Sequence, residues 1–175
     1  YALAKVYSIK LCKYLNDKNK SIFYKTIIPC NLYGPYDNFD REKSHLVAAA
    51  ILKINKAIVE KKKEVEIWGS GNASREFLYV EDLVDFIFLC VKNLKEIPDI
   101  INCGYGKNYK VKEYYKIIGK ELNYKGKFIF DKKKPEGQLK KLVNIRLQKK
   151  MRWYPKTKLS EGIKKTIKFF HKSEI

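Results

Sequence analysis

Apolar residues at Leu3, Val6, Tyr7, Ile9, Leu11, Tyr14 and Leu15 recur at helical intervals, which predicts an amphipathic helix ending at the polar run 16–20, NDKNK. A buried strand is expected next, over 21–30 (SIFYKTIIPC), closed by Pro29. Residues 30–43 are rich in Asn, Asp, Gly and Pro and predict a loop, after which Ser44 caps a helix running to about Val59. Short strands follow at 65–69 (VEIWG) and, with alternating character, at 75–80 (REFLYV). The acidic start of EDLVDFIFLCVKNL suits a helix N-terminus. Beyond it the pattern predicts strands at 100–103, 125–130 and 141–145 and helices at 111–122 and 159–170. Strand and helix alternate without an internal repeat, so the fold class is α/β. A long polar loop leaving a strand end, as at 30–43, is where such folds carry function.

Composition narrows the partners. At 175 residues, 45% hydrophobic and 14% aromatic, the chain can bury a sizeable core. Its net charge of +19 suggests nucleic acid or an anionic membrane surface. Yet only Arg41, Arg75, Arg146 and Arg152 among the 38 basic residues are Arg, the side chain that base readout and bidentate phosphate capture favour. A phosphorylated small molecule is therefore the better expectation, with a basic nucleic-acid-binding module as the alternative from another class. The apolar run around 86–91 is far short of a membrane span. Cys12, Cys30, Cys90 and Cys103 lack metal-ligand or disulfide spacing, so no metal is expected and free thiols in a reducing cytosol are.

The chain opens on Tyr1, and its only Met is Met151, so the expectation is a piece of a longer protein. Tyr1 and Lys5 share one helical face, but Tyr14/Lys18 and Tyr154/Lys158 have the same spacing, so the pair alone is weak. No G-x-G-x-x-G occurs: Gly104 and Gly106 are followed by KNY, and Gly69 and Gly71 open no helix. A dinucleotide site built on that fingerprint is expected upstream of Tyr1.

The run 29–39 (PCNLYGPYDNF), then SHLV, WGSGNASREFLYVEDL, FDKKKPEGQLKKLVNI and LSEGIKKTIKFF closely resemble the GDP-L-fucose synthases of the extended short-chain dehydrogenase/reductase group. The opening YALAKVYSIKLC matches that family's catalytic helix, which turns Tyr1 and Lys5 into a placed motif. The resemblance implies the C-terminal part of a Rossmann-type NAD(P)-binding fold plus a smaller α/β substrate-binding domain. Residues 1–43 would be the remaining Rossmann portion, and 44–175 mainly the nucleotide-sugar domain with segments returning to the sheet. It further implies an NADPH-dependent enzyme acting on GDP-4-keto-6-deoxy-D-mannose, epimerising C3 and C5 and then reducing C4 to give GDP-L-fucose. A C4 ketone acidifies the C3 and C5 protons, so an acid/base and enolate stabilisation suffice for epimerisation.

Each residue role follows from the resemblance. Tyr1 would protonate the C4 alkoxide, assisted by the Lys5 ammonium, which also holds the nicotinamide ribose. His45 would be the epimerisation acid/base and touch the cofactor, its Cys partner lying upstream. Pro29, Cys30, Asn31 and Leu32 would line the nicotinamide. Arg75 would fork the GDP diphosphate, with Trp68, Lys53 and Glu136 as further substrate contacts. The sequence departs from the family at several of these places: Cys30 stands for Thr, Lys53 for Arg, Glu136 for Asp and Ala48 for Pro. Lys53 keeps the charge and loses the planar fork. A cytoplasmic homodimer binding a GDP-sugar, neither nucleic acid nor membrane, is implied. A GDP-6-deoxy-4-keto-heptose epimerase/reductase would need the same groups, and a related dehydratase or 4-epimerase would lack the SH pair.

Overall fold

The structure, a computed structural model, describes residues 1–40 and 43–173. Helix α1 (Ala2–Lys18) is followed by strands β1 (Thr26–Pro29) and β2 (Asn31–Tyr33), and helix α2 (Leu46–Val59) comes next. Strands β3 (Glu64–Trp68), β4 (Ser74–Arg75) and β5 (Phe77–Tyr79) lead into α3 (Val80–Lys92), whose first turn holds Glu81 and Asp82. Then come β6 (Ile100–Cys103), β7 (Tyr109–Lys110), α4 (Val111–Glu121), β8 (Lys127–Asp131), α5 (Arg146–Lys150) and α6 (Leu159–Ser173).

Three strand pairs are parallel: β1 with β6, β2 with β5, and β3 with β8. The pair β4 and β7 is antiparallel. Parallel pairing requires crossovers and coverage on both faces, which is the α/β arrangement the alternation predicted. One apolar cluster joins Ile51 and Ile54 of α2, Tyr114 and Ile118 of α4, and Ile163 and Phe170 of α6 to Val65, Phe77 and Tyr33. A second gathers Cys30, Leu78, Phe86, Ile101, Cys103 and Trp153 around β1 and β6. Helices α2, α3, α4 and α6 meet the core through the stripes their spacing dictates, while the short α5 buries only Gln148. Helix α1 buries none of its residues.

Several expectations give way to tertiary bonding. The strand expected over 21–30 begins only at Thr26: the Asn16 Oδ1 accepts the Tyr24 N–H and its Nδ2 donates to the Tyr24 carbonyl, at 2.8 Å each, which occupies both backbone groups of Tyr24. The loop expected at 30–43 contains strand β2, paired from Asn31 to Tyr33 with Phe77 to Tyr79; residues 41–42 lie outside the described residues. His45, not Ser44, occupies the position that starts α2, and no side chain caps it. No alternation survives at 75–80: residues Glu76 through Tyr79 are all buried, since core lies on both faces. The strand expected at 141–145 does not form, and the Val143 N–H instead reaches the Glu76 carboxylate at 2.8 Å.

Candidate functional site

A cleft of about 880 Å³ opens where α2, the β3–β4 turn and the 135–136 segment converge. Its walls include Asn31, His45, Lys53, Trp68, Arg75 and Glu136. These residues lie as much as 105 positions apart in sequence, from 31 to 136, and their meeting depends on the parallel β2–β5 and β3–β8 pairs. Ala49, Ala73, Ile67 and Phe77 give it an apolar floor. Concave, mostly apolar surfaces with a few converging polar groups are the usual form of small-molecule sites.

His45 sits exposed at the mouth, immediately before the first turn of α2. Asp37, from the DNF run, is close enough for their charges to interact; burial pushes its carboxyl up, while the Asn38 N–H and His45 pull it down. Lys53 lies two turns along α2. Burial draws its ammonium below the ordinary lysine range, with nearby Glu66 opposing, and its Nζ donates to the Glu66 carbonyl at 2.8 Å.

Trp68, at the end of β3, is 58% exposed. Its Nε1 donates to Glu66 Oε1 at 3.1 Å, while Lys53 Nζ lies 5.4 Å and Lys134 Nζ 5.6 Å from the ring centroid. Gly69 has φ 75 and Gly71 φ 70, conformations an L side chain rarely adopts, and a Cβ on Gly69 would strike Glu136 Cγ. That clearance lets the Glu136 carboxylate accept the Ser70 N–H. Hydrogen bonds from the Ser70 side chain and backbone hold this carboxyl below the usual range.

Arg75 turns its guanidinium toward backbone: Nη1 donates to the carbonyls of Ser74 at 2.8 Å and Gln138 at 2.5 Å, and Nη2 to that of Glu136 at 3.1 Å. The fork thus ties the 136–138 segment beside the cleft. Asn31 donates from Nδ2 to the Glu76 carbonyl at 2.8 Å, which fixes the end of β2 against the β4–β5 junction.

The other expected residues lie elsewhere. Tyr1 is 97% exposed at the start of α1, with Lys5 Nζ 5.5 Å from its ring centroid, and neither lines the cleft. Pro29 ends β1 and is exposed, Leu32 is half-buried in β2, and Cys30 between them is buried. The Cys30 N–H is spent on the Cys103 carbonyl at 2.8 Å, and burial, aided by the Glu76 charge, pushes its thiol up to about 12. It is an inert thiol under the strand end. For a nicotinamide this segment offers backbone and the Asn31 side chain, at the carboxyl end of a parallel strand pair, where α/β folds hold dinucleotides.

Two residues escaped the sequence reading. Glu76 is 1% exposed, and its two carboxylate oxygens accept the N–H groups of Gly106 at 2.7 Å and Val143 at 2.8 Å. It knits the segments that flank β4; its only sequence cue was the charge in an otherwise apolar run. Lys134, beside the Trp68 ring, was hidden in a row of three lysines. Among the described residues, no three His, Cys, Asp or Glu side chains gather as a metal site, and no helix is long and apolar enough to cross a membrane.

The profile of the NAD dependent epimerase/dehydratase family matches residues 1–104. The chain is 51% identical over 170 residues to a GDP-L-colitose synthase of Yersinia pseudotuberculosis, covering 97% of this chain and 55% of that protein. It is 39% identical over 170 residues to a GDP-L-fucose synthase of Azorhizobium caulinodans, covering 97% and 54%. A crystal structure of a GDP-L-fucose synthetase from Naegleria fowleri bound to NADP superposes with a TM-score of 0.86 at 27% identity, covering 99% of this chain and 56% of that one. The chain thus spans about half the length of the curated relatives it matches. With the family profile running over more than half of its 175 residues, on an α/β fold of parallel strand pairs, the chain belongs to the NAD dependent epimerase/dehydratase family.

Proposed function

We propose that this chain carries the nucleotide-sugar side of an NADP(H)-dependent enzyme that epimerises and reduces a GDP-4-keto-6-deoxy sugar, GDP-L-fucose being the product. The observation that carries the reading is that His45, Lys53, Trp68, Arg75 and Glu136 all line one cleft. Residues 1–43, with β5, α3 and β6 packed against them, form the nucleotide-cofactor side; the rest is mainly the sugar-nucleotide side. The relatives named for GDP-sugars and the NADP-bound neighbour support the choice of a GDP-sugar and NADP(H) as the ligands.

In this reading His45 exchanges protons at C3 and C5 of the bound sugar. The mouth position suits it, because the exchanged proton must reach solvent. Asp37, from the DNF run, lies near enough that the charge of His45 acts on its carboxyl. The Lys53 ammonium and the Arg75-tied segment meet the diphosphate, and the Trp68 face packs on the nucleotide. Lys5 and residues 29–32 would hold NADP(H), which would supply a hydride for C4, and Tyr1 would give its hydroxyl proton to the oxygen formed there. A cytoplasmic homodimer completes the proposal.

Solvent exchange tests the role of His45. In deuterated water, His45→Gln should slow deuterium entry at C3 and C5 of GDP-4-keto-6-deoxy-D-mannose by at least about a hundredfold, the usual worth of a general acid or base. Undiminished wash-in would remove His45 from this role. One observation favours a second reading, that the product is GDP-L-colitose: the relative named for it is 51% identical, against 39% for the fucose synthase above. The two products require different substrates, so comparing turnover of the GDP-4-keto-6-deoxy sugar with that of its 3-deoxy counterpart, with products identified by NMR, separates the two.

A further inference from the structure

The segment 131–139 is tethered more heavily than a polar surface loop requires. The Asp131 carbonyl accepts the backbone N–H groups of Gly69 at 2.8 Å and Lys134 at 3.2 Å, and its carboxylate accepts the backbone N–H of Lys133 at 3.0 Å. Glu136 then grips Ser70, Arg75 binds the carbonyls of Glu136 and Gln138, and the Leu139 carbonyl takes the Ser74 N–H at 2.7 Å. These bonds lash the segment to the β3–β4 turn. Of the three consecutive lysines it carries, Lys134 is the one held at the Trp68 ring.

Lys53 reaches the same ring from α2, so two ammonium groups lie within 5.6 Å of one indole centroid. Neither is in an ion pair among the described residues, and Lys53 is anchored to a neutral carbonyl. Both ammonium groups are fixed at the indole without a carboxylate partner among the described residues, so an anion that reaches both gains charge pairing that neither now has. One compact ammonium cannot chelate a planar oxyanion as a guanidinium does, but two from different elements can bracket a pair of linked phosphates.

We infer that Lys134, next to the cleft-lining Pro135 and Glu136, is a diphosphate-binding residue that acts with Lys53 beside the Trp68 ring and is set there by the tethered 131–139 segment. The inference rests on the reading of the cleft as a nucleotide-sugar site. Lys134 confers preference for a nucleoside diphosphate over a nucleoside, and it does so through charge alone.

Calorimetric titration with GDP and with guanosine tests it on the parent chain and on Lys134→Gln, Lys134→Arg and Lys132→Gln. GDP affinity should fall roughly 5- to 30-fold in Lys134→Gln, the range of one charge-assisted contact, with guanosine affinity unchanged. Lys134→Arg should retain most of the GDP affinity, and Lys132→Gln all of it. The GDP dependence on salt should also flatten in Lys134→Gln alone. An unchanged GDP affinity in Lys134→Gln, or an equal loss for guanosine, would overturn the inference while leaving the cleft reading intact. Failure of the parent chain to bind GDP would overturn that reading, and this one with it.

Discussion

Helices α1 and α2 both begin beside a residue expected to do chemistry, Tyr1 and His45, and both have apolar residues at helical spacing. They differ in what covers them. Helix α2 buries Val47, Ala48, Ala50, Ile51, Ile54 and Ala57 against α4 and β3, whereas the 17 residues of α1 bury none, and Leu3, Val6, Tyr7, Leu11 and Tyr14 face outward. An apolar stripe states a demand for burial but does not supply the surface that meets it. The consequence reaches the chemistry. His45 is delivered to a cleft by a helix locked into the core, while Tyr1 and Lys5 lie outside that cleft with the Lys5 ammonium over the Tyr1 ring.

Core deletions should break this comparison most visibly. Ile54→Ala removes a side chain with no exposed surface and should cost about 2–5 kcal/mol, read from urea denaturation. Leu11→Ala, on the outward face of α1, should cost less than about 0.5 kcal/mol in the same measurement. Equal losses would mean that α1 is packed as firmly as α2.

Next in size is Arg75→Ala. It removes three hydrogen bonds to backbone carbonyls and, with them, the placement of Glu136 and Gln138 at the cleft. GDP affinity by calorimetry should drop by about 1.5–3 kcal/mol, with NADPH affinity unmoved. Full GDP affinity in the mutant would take Arg75 out of the site.

Thiol chemistry sharpens the same contrast. Cys12 on α1 is half-buried, while Cys30, Cys90 and Cys103 are buried and their thiols pushed upward by burial. Iodoacetamide followed by peptide mass mapping should label Cys12 first and the other three only after denaturation. Early labelling of Cys30 would show the β1–β6 core open.

The smallest effect concerns pH. Burial lowers the Lys53 pKa below its ordinary 10.5, so between those two values the unfolded chain holds the proton that the folded chain has lost. Stability should therefore gain slightly as pH rises through that window, while GDP affinity falls as the ammonium disappears. Lys53→Arg should flatten both slopes, and an unaltered slope would place the titration on another group.

Legibility in the sequence followed the range of the forces involved. Helices α2, α3, α4 and α6 were readable because their spacing, their acidic or basic ends and their lengths are local properties. Strand β2 was hidden in a loop of Asn, Gly and Pro, since what makes Asn31–Tyr33 a strand is the partner Phe77–Tyr79. The strand expected at 141–145 failed for the converse reason: Glu76 claimed the Val143 N–H before any ladder could. Lys134 was indistinguishable from its neighbours until Trp68 was placed beside it.

Taken alone, the order of the residues determined the alternation of helix and strand, the absence of a glycine-rich phosphate loop, the free cysteines and, through its motifs, the set of residues to watch. Those follow from backbone preference and side-chain chemistry within a few positions. Which of the watched residues share a cleft was decided by parallel pairing, which joins strands many residues apart and so leaves no local trace. The same pairing turned Arg75 toward the 136–138 carbonyls and put two ammonium groups on one indole, because a side chain bonds to whatever the fold brings within reach.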